Sequence, residues 1–132
     1  MKNTKILIVD DDPDLTKALK VTLESRQYTV LTAANRSEGM KKIKSNKPDL
    51  VILDIVMSTW QDGFEMSREL KADPLYKNMP ILILTAIKNR TGIDFKPSAG
   101  DPNWLPVEGF LDKPVEPELL LAEVEKLLSK KT

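Results

Sequence analysis

Three unbroken apolar runs constrain this chain more than any other feature: Lys5-Ile6-Leu7-Ile8-Val9, Leu50-Val51-Ile52-Leu53 and Ile81-Leu82-Ile83-Leu84. Each has strand length and is rich in β-branched residues. A strand with one wet face alternates apolar and polar side chains, whereas a continuously apolar strand is buried on both faces. That is the condition of a parallel sheet covered by helices. Tyr28-Thr29-Val30-Leu31-Thr32 and Val107 to Leu111 read as two weaker strands, which makes five.

Helical periodicity fills the gaps. Leu15, Ala18, Leu19, Thr22 and Leu23 recur at three- and four-residue spacing behind Asp12-Pro13, a cap followed by a proline suited to the first turn. Asn35 and Glu38 have the spacing of a capping box ahead of Met40 and Ile43. Asp62 is expected to cap a helix carrying Met66 and Leu70. Pro117 opens a last helix with Leu120, Val124, Leu127 and Leu128 on one face. Strand–helix alternation at this spacing implies right-handed crossovers and an α/β sandwich. Residues 86–106 break the rhythm: Pro97, Pro102 and Pro106 with Gly92 and Gly100 leave no sustained period. A long loop or a short, distorted helix is expected there, and a loop of that length is often functional. Trp104 and Phe95 within it are read as hydrophobic anchors of the loop, with a partner-docking patch as the alternative.

Composition narrows the chemistry. The 132 residues suit one domain, and 20 basic against 20 acidic side chains leave no net charge. That balance removes the electrostatic case for direct nucleic-acid or membrane-surface binding. No apolar run approaches the length of a membrane span, and residues 1–10 lack a signal-peptide pattern. There is no Cys and no His, which excludes disulfides, thiol catalysis, thiolate metal sites and the commonest general base. Whatever happens here runs on carboxylates, hydroxyls and lysines.

Those groups sit where the strands stop. The first run ends in Asp10-Asp11-Asp12, the third at Asp54, the fourth at Thr85 and the fifth at Asp112-Lys113. Open parallel sheets bind ligands outside the carboxyl ends of their strands, at the point where strand order reverses. Two carboxylates ~4 Å apart repel by about 1 kcal/mol in water and ~4 kcal/mol at an effective dielectric of 20. Asp10, Asp11 and Asp54 are therefore held apart, partly protonated or neutralised by a cation. A hard divalent ion such as Mg²⁺ answers this best, because it accepts one or two carboxylates and completes its shell with water and phosphate oxygens. Lys113 adds a fixed positive charge opposite, and such a site suits a phosphoryl group with a carboxylate as nucleophile. Asp12 and Asp14 read as helix-terminus acids instead.

Taken together, Ile6 to Pro13, Pro48 to Asp54, Pro80 to Ala86 and Phe110 to Pro114 resemble the receiver domain of bacterial two-component response regulators, over essentially the whole chain. The resemblance implies a flavodoxin-like (βα)5 three-layer sandwich with a five-stranded parallel sheet in order 2-1-3-4-5, here with an unusually long connection between the fourth and fifth strands. It implies one receiver domain over 1–132, with no output domain expected after the last helix. Asp54 would accept a phosphoryl group, and Asp10, Asp11, Asp54 and the backbone carbonyl of Val56 would hold Mg²⁺. Thr85 and Lys113 would bind the phosphoryl oxygens. Phe110 would be the switch aromatic that follows Thr85. The partners implied are a sensor histidine kinase or phosphotransfer protein and a downstream protein target, in the bacterial cytoplasm, with a homodimer as a further state. Any enzymatic activity would be limited to Mg²⁺-dependent self-phosphorylation and self-dephosphorylation.

Three departures stand out. Ser58 replaces a proline usual four positions after the acceptor, and Gly63 lies nine positions on instead of eight. The Thr85 to Lys113 stretch is several residues longer than the family norm. Val56 and Ile87, two beyond the acceptor and two beyond the threonine, are both apolar, so a slowly hydrolysing acyl phosphate is expected. Two other readings compete. One is a receiver-like module that binds protein without phosphate. The other is an aspartate-nucleophile phosphatase of the haloacid dehalogenase type, whose Asp-x-Asp would be Asp10-Asp11-Asp12 but whose late acidic pair is absent.

Overall fold

The computed structural model describes residues 4–54, 60–85, 109–112 and 116–131, and of residues 54, 60–64, 85, 110, 112, 130 and 131 it describes the backbone alone. Its elements run β1 (Lys5–Val9), α1 (Pro13–Glu24), β2 (Thr29–Ala33), α2 (Arg36–Asn46), β3 (Leu50–Asp54), α3 (Trp60–Ala72), β4 (Ile81–Thr85), β5 (Gly109–Asp112) and α4 (Pro117–Lys131).

The unbroken apolar runs are strands buried on both sides, as a parallel sheet requires. Leu7, Val9, Val51, Leu53, Ile81 and Ile83 face Ile43 of α2 and Met66 and Leu70 of α3. Their neighbours Ile6, Ile8, Leu50, Ile52, Leu82 and Leu84 face the other way, against Leu19 and Leu23 of α1 and Leu120, Val124 and Leu127 of α4. All strand pairs are parallel. The 2-1-3-4 arrangement of a flavodoxin-like fold is present, and β5 lies beside β4 at the end of the sheet. The expected long loop or short helix over 86–106 lies outside the described residues.

Local chemistry sets the helix ends. Asp12 accepts hydrogen bonds from the N–H groups of Asp14 (3.0 Å) and Leu15 (3.3 Å), with Pro13 opening α1. At α2, the Glu38 N–H donates to Asn35 Oδ1 at 2.9 Å, while Glu38 Oε1 accepts from Ala34 N–H at 2.9 Å. The box therefore closes one residue further back than the spacing implies. One expectation needs correcting: α3 begins at Trp60, so Asp62 lies inside the first turn and is not the cap. The helix dipole favours acids throughout that turn, so a cap and a first-turn acid look alike in sequence. Ala18, assigned to the apolar stripe of α1, is exposed, whereas Leu19 and Leu23 carry the burial.

At the outer strand, Asp10 N–H bonds to the Ala33 carbonyl and Thr29 N–H to the Thr4 carbonyl. Parallel pairing uses alternate residues, so Val30 and Thr32 turn their peptide groups outward. The Lys42 ammonium donates to the Thr32 carbonyl, which blunts an edge that could otherwise pair with another chain.

Candidate functional site

The carboxyl end of β1 is built around Asp10. Its backbone N–H continues the ladder to Ala33 at 3.0 Å, one residue beyond the end of β1. Its Oδ1 accepts the Asp12 N–H at 2.9 Å, and Asp12 in turn caps α1. Two successive side-chain-to-backbone turns thus tie the position of the Asp10 carboxylate to the start of the helix. Asp10 is only 4% exposed, whereas Asp11 beside it is exposed. Burying a carboxylate costs several kcal/mol unless hydrogen bonds and counter-charge offset it.

Strand register decides what stands near Asp10. β1 pairs with β3 so that Val9 opposes Leu53, and the next step sets Asp10 opposite Asp54, the last residue of β3. Neighbouring strands are about 4.8 Å apart. On the other side of β3, Asp54 opposes Leu84, so Thr85 follows at the end of β4 and opposes Asp112. Phe110 opposes Ile83 on β5. The sheet topology thus brings the backbones of Asp10, Asp54 and Thr85 to one end of three adjacent strands. Val56 and Lys113 lie outside the described residues.

A cavity of about 570 Å³ opens beside this end, between α1 and α2, and Asp10 and Asp11 form one wall. Thr16, Lys17 and Lys20 of α1, Thr32 of β2, and Glu38 and Lys42 of α2 contribute the rest of its polar lining. Motif reading missed Thr16, Lys17, Lys20 and Lys42 as cavity lining and found Glu38 only as a capping residue. Thr16 and Lys20 do share a face through their four-residue spacing, but nothing in sequence says that this face meets α2 across the outer strand. Across the neighbouring helices, Arg36 forks onto Glu65 (2.9 Å) and Glu69 (2.8 Å), tying α2 to α3.

The donor chemistry fits a hard divalent cation. Asp10 and Asp11 offer only oxygen ligands, one buried and one open to solvent, as Mg²⁺ prefers when it keeps part of its water shell. Among the described residues no group of three or more His, Cys, Asp or Glu side chains could hold a metal.

Comparison with known proteins gives the family. A family model described as the response regulator receiver domain matches residues 6–125. The chain belongs to the response regulator receiver family. This receiver domain is 34% identical over 126 residues to the alkaline phosphatase synthesis transcriptional regulatory protein PhoP of Bacillus subtilis, covering 96% of this chain and 49% of PhoP. It is 34% identical to the protein PilH of Pseudomonas aeruginosa, where the match covers 95% of this chain and 98% of PilH. The receiver thus spans about half of one relative and nearly all of the other. Among solved structures, a CheY-like response regulator receiver domain protein from Methanospirillum hungatei superposes with a TM-score of 0.83 at 27% identity, covering 98% of this chain and 97% of that one. The chemotaxis response regulator CheY4 of Vibrio cholerae gives 0.77 at 29% identity, covering 96% and 99%.

Proposed function

We propose that this receiver domain is a phosphorylation-dependent signalling switch that takes a phosphoryl group on Asp54. The observation that carries the reading is the buried Asp10 carboxylate, held at the end of β1 by the Asp12 N–H and one register step from the end of β3. A second carboxylate placed there is costly without a counter-ion, and useful where a phosphoryl group must be neutralised and attacked.

In this reading a carboxylate oxygen of Asp54 attacks phosphorus, the P–N bond of a phosphohistidine breaks, and the departing imidazole takes up a proton. The donor is a sensor histidine kinase or phosphotransfer protein, the partner class with which receiver domains interact. Mg²⁺, which receiver domains generally bind at their phosphorylation site, would supply charge neutralisation, held by Asp10, Asp11, Asp54 and the Val56 carbonyl. Asp10 stays fixed because its Oδ1 is tied to the helix start. Thr85 and Lys113 bind the phosphoryl oxygens, and Phe110 follows Thr85 to pass the change to the surface around β5. A switch needs a downstream partner that binds the two states unequally. The setting is cytoplasmic, and no described helix is long and apolar enough to cross a membrane. Homodimerisation through the altered face is a further consequence of the same change.

The test is acetyl phosphate labelling in Mg²⁺, with the site mapped by mass spectrometry after borohydride reduction. Label on Asp54, lost in Asp54→Asn and in excess EDTA, is the expected result. Undiminished labelling of Asp54→Asn overturns the assignment.

A further inference from the structure

The turns leading into β3 and β4, at the end of the sheet opposite Asp10, enclose a second cavity of about 300 Å³ lined by Lys47, Pro48, Leu75, Tyr76, Asn78 and Met79. That volume lies at the small end of ligand sites and suits one large side chain. The turn that forms its outer lip is heavily stapled. The Leu75 N–H donates to Asp73 Oδ1 at 2.9 Å. The N–H groups of Tyr76 and Lys77 donate to the Asp73 carbonyl, and that of Met79 to the Tyr76 carbonyl, each at 2.9 Å. From α3, the Lys71 ammonium reaches the carbonyls of Lys77 (3.1 Å) and Met79 (2.8 Å).

This turn holds a leucine out into water. Leu75 is 81% exposed, ahead of Val21 at 62% and Leu119 at 56% among the exposed large apolar residues described. With the backbone that carries Leu75 held by these hydrogen bonds, the turn has already met the backbone part of the ordering cost that binding would impose. Charge then selects what it meets. Lys47 forms part of the cavity wall in a left-handed conformation with φ 51°. Lys44 lies in the last turn of α2, and Lys77 stands between two lining residues. All three are exposed, and none forms an ion pair among the described residues. The neighbouring acids are engaged: Asp49 Oδ2 accepts the Lys5 N–H at 2.8 Å, and Asp73 caps the turn.

We propose that this cavity docks an acidic segment of a partner protein carrying one large apolar side chain. The apolar group packs between Leu75, Tyr76 and Met79, and the flanking carboxylates meet Lys44, Lys47 and Lys77. Because the strands are parallel, the site lies a full strand length from the acidic end. The partner therefore binds without covering Asp10 or Asp54, in either state of the receiver.

The experiment titrates the ¹⁵N-labelled chain with the peptide Glu-Asp-Glu-Leu-Asp-Glu-Asp and follows backbone shifts. Expected are shifts confined to 44–48 and 73–79, weakened about tenfold or more by Leu75→Ser and several-fold by Lys47→Gln with Lys77→Gln. Binding should also weaken with added salt. Leu75 is exposed, so its variant should keep the wild-type melting curve. No shifts at millimolar peptide, shifts elsewhere, equal binding of a lysine-for-acid peptide, or indifference to Leu75→Ser each overturn the proposal. Concentration-dependent shifts of the same residues without peptide overturn it in favour of a second copy of the chain.

Discussion

Replacing Gly39 by alanine probes how closely α2 sits on the strand that carries Asp10. Gly39 is buried in the middle of a helix, where alanine normally stabilises by about 1 kcal/mol through backbone entropy and propensity. Here an added Cβ would lie 2.9 Å from Met66 Cε, 3.1 Å from Val9 Cγ2 and 3.3 Å from Val9 Cγ1. Carbon atoms prefer about 3.5–4.0 Å. The end of Met66 is unbranched and can swing aside. Val9 cannot: it is fully buried, β-branched and paired on both sides within the sheet,. Overpacking of this kind costs about 1–3 kcal/mol. Against the propensity gain, the net expectation is a loss of about 1 kcal/mol, or ~3–5 °C in Tm for a chain of this size. Val9 is the residue before Asp10, so the same push should disturb the acidic end and, under the proposed function, weaken the Mg²⁺ binding proposed there. Urea melts of Gly39→Ala, Val9→Ala and the double variant check this, and the double should be less destabilised than the sum of the singles. A Gly39→Ala chain about 1 kcal/mol more stable than the parent, with additive behaviour, would refute the close-approach argument.

Other outcomes follow from single contacts. Asp12→Ala removes the acceptor for two N–H groups at the start of α1 and should cost about 1 kcal/mol in chemical denaturation, with Asp12→Asn recovering most of it. Burial first, then the charge of Glu125, raises the Tyr28 hydroxyl above its ordinary pKa of 10.0, with Arg26 opposing. The neutral phenol is therefore favoured in the folded chain, and its contribution is complete below pH 10 and lost as pH climbs through the raised value. Tyr28→Phe should show a flatter stability profile over that alkaline window, and an unchanged profile would exclude Tyr28 as its source. If Asp54 is phosphorylated as proposed, the apolar Val56 and Ile87, two positions beyond Asp54 and Thr85 in the sequence, should let the acyl phosphate persist for minutes after the donor is removed. Decay within seconds, followed by loss of the mapped label, contradicts that expectation.

Much of the fold and part of the site are local properties of the chain. Leu50 to Leu53 and Ile81 to Leu84 are readable as strands covered on both sides because a continuous apolar run has no wet face to offer. Asp12-Pro13 and Asn35 with Glu38 mark helix starts because capping acts over three or four residues. The acids after the strands are visible for the same reason, and the receiver motifs add the family. A cap at Asp62 would start α3 three residues later than its actual start at Trp60; the forces that favour a cap and a first-turn acid overlap, so sequence does not separate them.

What tertiary structure alone decided depends on distances between residues far apart in sequence. The register of Val9 against Leu53 sets Asp10 beside the end of β3, and no local rule supplies that pairing. Gly39 against Val9, Arg36 across to Glu65 and Glu69, and Lys42 on the free edge at Thr32 all require two elements to meet. The outward Leu75 is the clearest instance, since sequence marks it as apolar and only the stapled turn determines that it faces water. Periodicity encodes which side of an element is buried; packing between elements decides what that side meets.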